Sequence, residues 1–154
     1  MGTQIEVICP PDISSRPFNL KLEKHVPLSI ENLFKAWTSQ LDLWFASPGS
    51  LLSKAEPNTA FYFETQHEGR RSPHYGRFLR IEFPGLVELT WITGEGGTEG
   101  AETVLTVELN SENDGTLIKL SHAGFADEVS KDKHLEAWPY VLDQMTERRS
   151  RPID

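Results

Sequence analysis

The sequence has 154 residues, which is the length of one globular domain and leaves little room for a second independent core. Hydrophobic residues make up 38% of it, a fraction that argues against both a disordered chain and a membrane protein. The formal net charge is −8, and the stretch 81–118 contains acidic residues but no lysine or arginine. Because a surface of this sign repels phosphate backbones and anionic lipids, we expect neither a nucleic-acid partner nor a membrane partner.

The sequence also indicates where the protein functions. No apolar run approaches the length of a membrane-spanning helix, and the first residues lack the basic and apolar segments of a signal peptide. The single cysteine, Cys9, has no partner for an internal disulfide and lies beside two prolines, which favours a structural rather than a catalytic thiol. We therefore predict a cytoplasmic protein.

The first part of the chain predicts one strand and two short helices. Residues 1–17 are rich in proline and show little periodicity, so they are predicted to form a loosely held lead-in. From residue 18 to 23 apolar and polar residues alternate, as in a half-buried strand. Ser29 is a suitable N-cap for a helix with an apolar face over 30–37, and a second short helix is predicted over 41–45.

The middle of the chain alternates with a period of two, which predicts a run of strands. The predicted strands are 60–66, 73–83, 86–93, 103–109 and 116–122. Residues 67–71 are predicted to form a turn, and 113–115 give a strong hairpin signal. The glycine-rich run 94–100 is predicted to be a mobile connection. Successive strands joined by short turns predict an antiparallel meander.

One long helix is predicted at the end of the chain, over residues 127–149. Its apolar stripe has helical spacing and consists of Leu135, Trp138, Val141, Leu142 and Met145. Pro139 lies inside the pattern and is expected to kink the helix or to remove one of its hydrogen bonds. Since this helix is the only element large enough to cover the apolar face of the sheet, the predicted fold class is α+β.

This order of elements resembles the helix-grip fold of the START-like superfamily, a curved antiparallel sheet wrapped around a long C-terminal helix. Five segments resemble its branch of heat-shock ATPase activator homologues; they are residues 27–37, 76–81, 86–91, 115–125 and 138–142. The resemblance covers residues 18–149, which it implies are a ligand-binding domain, with 1–17 as a lead-in and 150–154 as a tail. Because this superfamily hosts many functions, the resemblance predicts the fold more sharply than the activity.

The resemblance implies a cavity between the concave face of the sheet and the long helix, with Trp44 closing its mouth. The strand alternation and the helical stripe give the other candidate lining residues, which are Phe61, Phe63, Tyr75, Leu79, Ile81, Trp91, Leu105, Ile118, Leu120, His122, Trp138 and Met145. Aromatic residues offer rigid walls and a few N–H and O–H groups, as in many small-molecule pockets. The same pattern is also expected of residues that simply fill a core.

His122 is the most interesting polar candidate because it falls on the apolar face of its strand. A buried imidazole there could orient a ligand or transfer a proton, or it could be a core histidine bonded to the backbone. The other histidines show no metal-ligand spacing, so no metal site is predicted. Glu99 replaces the third glycine of a dinucleotide-binding loop in the run 94–100, and no cofactor is predicted.

Three functional hypotheses remain open at this point. The favoured one is a module that binds a small apolar or aromatic molecule in the cavity. The second is an enzyme of cyclase, dehydratase or hydrolase type that uses His122 or Tyr75 as a general acid or base. The third is an interaction protein, similar to a co-chaperone, that binds a partner through the acidic edge of the sheet. A homodimer is left open in each case.

Overall fold

The computed structural model describes residues 10–149, without the side chains of His67 and Arg149. Cys9, most of the predicted lead-in and the predicted tail at 150–154 lie outside the described residues. The elements in chain order are β1 (Phe18–Val26), α1 (Ile30–Trp37), β2 (Leu52–Ser53), β3 (Ala60–His67), β4 (Arg70–Glu82), β5 (Leu86–Trp91), β6 (Thr103–Glu112), β7 (Gly115–Phe125) and α2 (Glu128–Arg149). Among them, no helix is long and apolar enough to cross a membrane.

The seven strands form one antiparallel sheet in the order β1-β7-β6-β5-β4-β3-β2. The chain crosses from one edge of the sheet to the other between β1 and β2, and α1 lies in this connection. Helix α2 packs against the sheet mainly at β1 and β7. This arrangement confirms the predicted α+β class and the helix-grip architecture.

The helices begin as their sequences predict. The Ser29 side chain accepts a hydrogen bond from the backbone N–H of Asn32 at 3.2 Å and caps α1. Asp127 caps α2 in the same way by accepting from the N–H of Ser130 at 2.8 Å. The second predicted helix is shorter than expected, since only Leu41–Leu43 form a single 3-10 turn. Helix α2 continues without a break through Pro139.

The end of the predicted lead-in is bonded to the sheet. The guanidinium of Arg16 donates to the backbone oxygen of Gly124 at 2.7 Å and to that of Glu102 at 2.8 Å. Two charged hydrogen bonds from one planar group fix both position and direction. Arg16 therefore attaches residues 10–17 to β7 and to the residue that precedes β6.

Along strand β4, the set of residues that points to the core changes from even-numbered to odd-numbered halfway along. This corrects the predicted position of Tyr75. Phe61 lies opposite Gly76 and Phe63 opposite His74, so the even-numbered residues of this part of β4 face the core. The register then shifts between Phe78 and Arg80, as at a β-bulge. The prediction that Tyr75 faces inward with Ile81 is wrong because one alternating pattern was carried across the bulge, and Tyr75 is 44% exposed.

The hairpin between β3 and β4 is longer than predicted. Only Glu68 and Gly69 form its turn, with φ values of 52° and 79°. Positive φ at both central residues is typical of a type I′ turn, the two-residue turn that suits the twist of a hairpin. The strands therefore extend to His67 and Arg70, and residues 64–74 form a hairpin arm whose inner face carries Thr65, Ser72 and His74.

The connection between β5 and β6 is a closed, hydrogen-bonded loop and not the mobile segment predicted. The backbone N–H of Thr98 donates to the Thr93 hydroxyl at 2.7 Å, and that of Thr93 donates to the Thr98 hydroxyl at 2.8 Å. Glu99 accepts from the N–H of Gly96 at 2.8 Å. The glycine content alone suggested flexibility, whereas the paired threonines close the loop.

Candidate ligand-binding site

Two adjoining cavities lie between the hairpin arm and α2, and Thr65 lines both of them. The first, which we call the histidine cavity, has a volume of about 460 Å³. Its walls are the hairpin arm, residues 93–97 of the β5–β6 loop, and Lys133, His134 and Ala137 of α2. The second has a volume of about 510 Å³ and lies between residues 45–48 and the last turns of α2. Together they form one groove beside the helix.

A layer of aromatic side chains lies between this groove and the core. His74 stacks on Phe63 with 4.9 Å between ring centroids and 13° between ring planes. Phe45 and Trp91 meet the His74 ring edge to face at 5.5 and 5.4 Å. Such edge-to-face and stacked contacts are the preferred geometries of aromatic pairs. Of these four rings, His74 lines the histidine cavity and Phe45 lines the second cavity, while Phe63 and Trp91 lie behind them.

The lining residues predicted from the sequence are brought together, but as the core beneath the cavity lining. Nine of them belong to one contiguous cluster of buried side chains, and they are Trp44, Phe61, Phe63, Trp91, Leu105, Ile118, Leu120, Trp138 and Met145. His122 and Leu79 are also buried, and Ile81 packs against the cluster. Tyr75 lies on the outer face. None of the thirteen lines either cavity of the groove, and their contact with a ligand stays a prediction.

His122 has hydrogen-bond partners for both ring nitrogens. The indole N–H of Trp138 donates to Nδ1 at 3.1 Å, so Nδ1 carries no proton. Nε2 therefore carries it and donates to the hydroxyl of Thr103 at 2.7 Å, and this hydroxyl donates to the backbone oxygen of Trp91 at 2.5 Å. Burial lowers the pKa of His122 well below its usual value. The imidazole is therefore neutral and held in one tautomer, as a structural histidine is.

His74 and His134 line the histidine cavity, and both were passed over in the sequence. Each bonds through Nδ1 to a backbone carbonyl, His74 to Ser72 at 3.1 Å and His134 to Ser130 at 2.8 Å. A carbonyl oxygen only accepts, so Nδ1 carries the proton in both rings and Nε2 keeps a lone pair. The two-residue turn at 68–69 was the signal that could have placed His74 opposite Phe63.

Burial also decides the charge of these two histidines. The pKa of His74 is lowered to about 4, mainly by burial and to a smaller extent by the nearby His134. Burial lowers the pKa of His134 as well, with a smaller effect in the same direction from Lys133. Both rings are therefore neutral near pH 7, and each offers a hydrogen-bond acceptor to a molecule in the cavity.

The rim of the histidine cavity is positive, in contrast to the chain as a whole. Arg70, Arg71 and Lys133 lie around it, with Glu95 as the acidic residue of the lining. The guanidinium of Arg71 is engaged by Glu64 through two hydrogen bonds of 2.9 and 2.6 Å. Within residues 10–149, no three side chains of the types that bind metals converge on one point.

The family model described as Activator of Hsp90 ATPase homolog 1-like protein matches residues 27–148. This range begins just before α1 and ends within the last turn of α2. No curated protein sequence matches this chain. The match confirms the resemblance that the local segments predicted.

Several solved structures share the fold. Protein CV1439 from Chromobacterium violaceum is 16% identical over 88% of this chain and 100% of its own, with a TM-score of 0.73. Protein MLL2253 from Mesorhizobium loti is 16% identical over 87% of this chain and 99% of its own, with a TM-score of 0.71. CalU16 from Micromonospora echinospora is 20% identical over 86% of this chain and 76% of its own, with a TM-score of 0.64. At these identities the likeness shows the fold alone.

Proposed function

Because this chain belongs to the family of Activator of Hsp90 ATPase homolog 1-like proteins, whose fold is consistent with ligand binding in a cavity, we propose that it binds a small apolar or aromatic molecule in the groove beside α2. One observation carries the proposal: His74 lines the groove with its ring stacked on a packed aromatic layer, and the other walls carry polar groups such as His134 with fixed orientations. Small-molecule sites combine an apolar surface with a few placed polar groups in this way.

The size of the groove supports a ligand of one or two rings. The histidine cavity, at about 460 Å³, falls within the range of roughly 300–1,000 Å³ that is usual for such sites. A ligand that buries about 200 Å² of apolar surface would gain roughly 5 kcal/mol from the hydrophobic effect before the entropy lost on binding is subtracted. The rings of His74 and Phe45 and the methyl group of Ala137 would supply the apolar contact, and His74 and His134 would orient the ligand by accepting hydrogen bonds.

The proposal is tested by native mass spectrometry of freshly purified protein. We expect a bound molecule whose mass becomes measurable after denaturation, and the same molecule should raise the melting temperature when it is added back. Ala137 is exposed and lines the histidine cavity, so Ala137→Trp should fill the cavity and abolish both effects. Glu136→Trp, on the neighbouring exposed position outside the lining, serves as the matched control. Equal binding by both variants would contradict this location.

A second candidate function is an enzyme of the cyclase, dehydratase or hydrolase type, which the two cavity histidines favour. A neutral imidazole whose Nδ1–H is held by a carbonyl presents Nε2 as a general base. His122 and Tyr75 were the expected residues, but the nitrogens of His122 are both bonded and Tyr75 lies on the outer face. If the co-purifying molecule is converted by the wild type, His74→Ala and His134→Ala should each slow the conversion, and full turnover by both variants would exclude this role.

A further inference from the structure

We propose that the ligand of the groove carries one anionic group, a carboxylate or a similar oxyanion, which binds at the rim between Arg70 and Lys133. This inference rests on the proposed function and adds the chemical class of the ligand to it. The body of the molecule lies against the His74 ring, and its charge lies at the cationic rim. The resulting class is an aromatic or aliphatic acid rather than a neutral hydrocarbon or sterol.

The first argument is that, within the described part of the chain, Arg70 and Lys133 have no ion-pair partner, whereas the cations near them in the sequence do. Arg71, next to Arg70, is bound by Glu64, and Lys131, two residues before Lys133, is bound by Asp132 at 2.6 Å. Arg70 and Lys133 have no carboxylate partner among the residues that the structure describes. Within these residues their charges are not offset by an ion pair, so both remain available to an anion in the cavity that they line.

The second argument is that the two cations come from different elements. Arg70 begins β4 at the tip of the hairpin arm, and Lys133 lies in α2, yet both line the histidine cavity. Positive charges on two walls attract an anion between them and repel a cation, which gives the site selectivity for charge. Arginine adds a planar fork of donors that matches a carboxylate in geometry.

The third argument places the anion at the rim and not deeper in the cavity. Backbone N–H groups of a glycine-rich loop often bind anions, but here Gly97 donates to the oxygen of Gly94 at 3.0 Å and Gly96 donates to Glu99. The two histidines present lone pairs, which repel an anion and accept from a hydroxyl or N–H. The side chains of Arg70 and Lys133 are therefore the groups suited to the charge.

The test uses two fluorescent probes with the same anilinonaphthalene body. One is 1-anilinonaphthalene-8-sulfonate, which is anionic, and the other is N-phenyl-1-naphthylamine, which is neutral. Both are titrated into the wild type and into Arg70→Gln, Lys133→Gln, Glu95→Gln and Lys119→Gln. Lys119 is exposed on β7 outside the groove lining, so its variant removes one positive charge and controls for the net charge of the molecule. Circular dichroism confirms that each variant is folded.

We expect the wild type to bind the sulfonate more tightly than the neutral probe. Arg70→Gln and Lys133→Gln should each weaken sulfonate binding by roughly threefold to fivefold and leave the neutral probe unchanged. Glu95→Gln should strengthen sulfonate binding, because it removes a repulsive charge, and Lys119→Gln should change neither. If both probes bind equally and these variants leave their ratio unchanged, the anionic class is wrong while the proposed function stands. If the wild type binds neither probe, both proposals are overturned.

Discussion

His74 lies opposite Phe63 across the hairpin, and the two rings stack at 4.9 Å with nearly parallel planes. A histidine in this position has one face in the aromatic layer and its edge at the cavity. Burial in this layer favours the neutral form, because a charged imidazolium would lose its hydration there. The stability of this packed pair is therefore expected to depend on pH.

Acidification is expected to destabilise the protein through His74. Burial lowers the pKa of His74 to about 4, whereas in the unfolded chain it is near 6.5. Between these values the unfolded chain binds a proton that the folded chain does not, so the stability present above the unfolded value is lost as the pH falls. Each unit of difference corresponds to about 1.4 kcal/mol. The lowered pKa values of His122 and His134 act in the same direction.

The measurement is the free energy of unfolding by urea at several values between about pH 7.5 and pH 5, above the range in which most carboxylates titrate. His74→Phe keeps an aromatic ring in the stack but cannot bind a proton, so its stability should depend less steeply on pH. The quantity compared is the slope of the unfolding free energy against pH, which a pH-independent change in stability does not affect. An identical slope in the wild type and the variant would contradict the contribution of His74.

The chain of hydrogen bonds through His122 gives a second prediction. Thr103→Val keeps the shape of the side chain but removes the acceptor for Nε2–H and the donor to the Trp91 oxygen. Both partners are buried, so the variant should lose about 1–3 kcal/mol of unfolding free energy. Thr106→Val is the matched control on the same strand, since its hydroxyl bonds only to the half-buried Glu88. Equal losses in the two variants would show that the His122 network contributes nothing particular.

The order of elements could be predicted from the sequence because each segment carries its own periodic signal. Alternation over 103–109 and 116–122 and the helical stripe after residue 127 were sufficient for strands β6 and β7 and for α2. Which side chains of β4 point to the core could not be predicted in this way. The bulge shifts the alternation by one residue between Phe78 and Arg80, so the pattern that places Ile81 correctly places Tyr75 on the wrong face.

The groove was harder to predict than the core for a related reason. The apolar stripes of the strands and the helix predict which residues are buried. Nine of the thirteen predicted lining residues, from Trp44 to Met145, do belong to the buried cluster. A cavity forms instead where two elements stand apart, and its lining consists of polar and small residues such as Thr65, His134 and Ala137. The lining as a whole comes from the hairpin arm, the β5–β6 loop and α2 and shares no period, so only the assembled fold places it together.

The β5–β6 loop gives the last prediction, because it is a wall of the histidine cavity and packs closely at Gly97. A Cβ atom added to Gly97 would lie 2.0 Å from the Thr93 hydroxyl, which accepts the N–H of Thr98. Gly97→Ala should therefore break the paired threonines and lower the unfolding free energy by about 1–3 kcal/mol, the range for a buried polar group left without its partner. Gly94→Ala, whose added Cβ meets nothing within 4 Å, is the matched control and should leave stability nearly unchanged. If the loop is a wall of the binding site, Gly97→Ala should also weaken the binding of the neutral naphthylamine probe, and Gly94→Ala should not. A Gly97→Ala variant with wild-type stability and wild-type probe binding would show that the loop does not need the threonine pair to keep its shape.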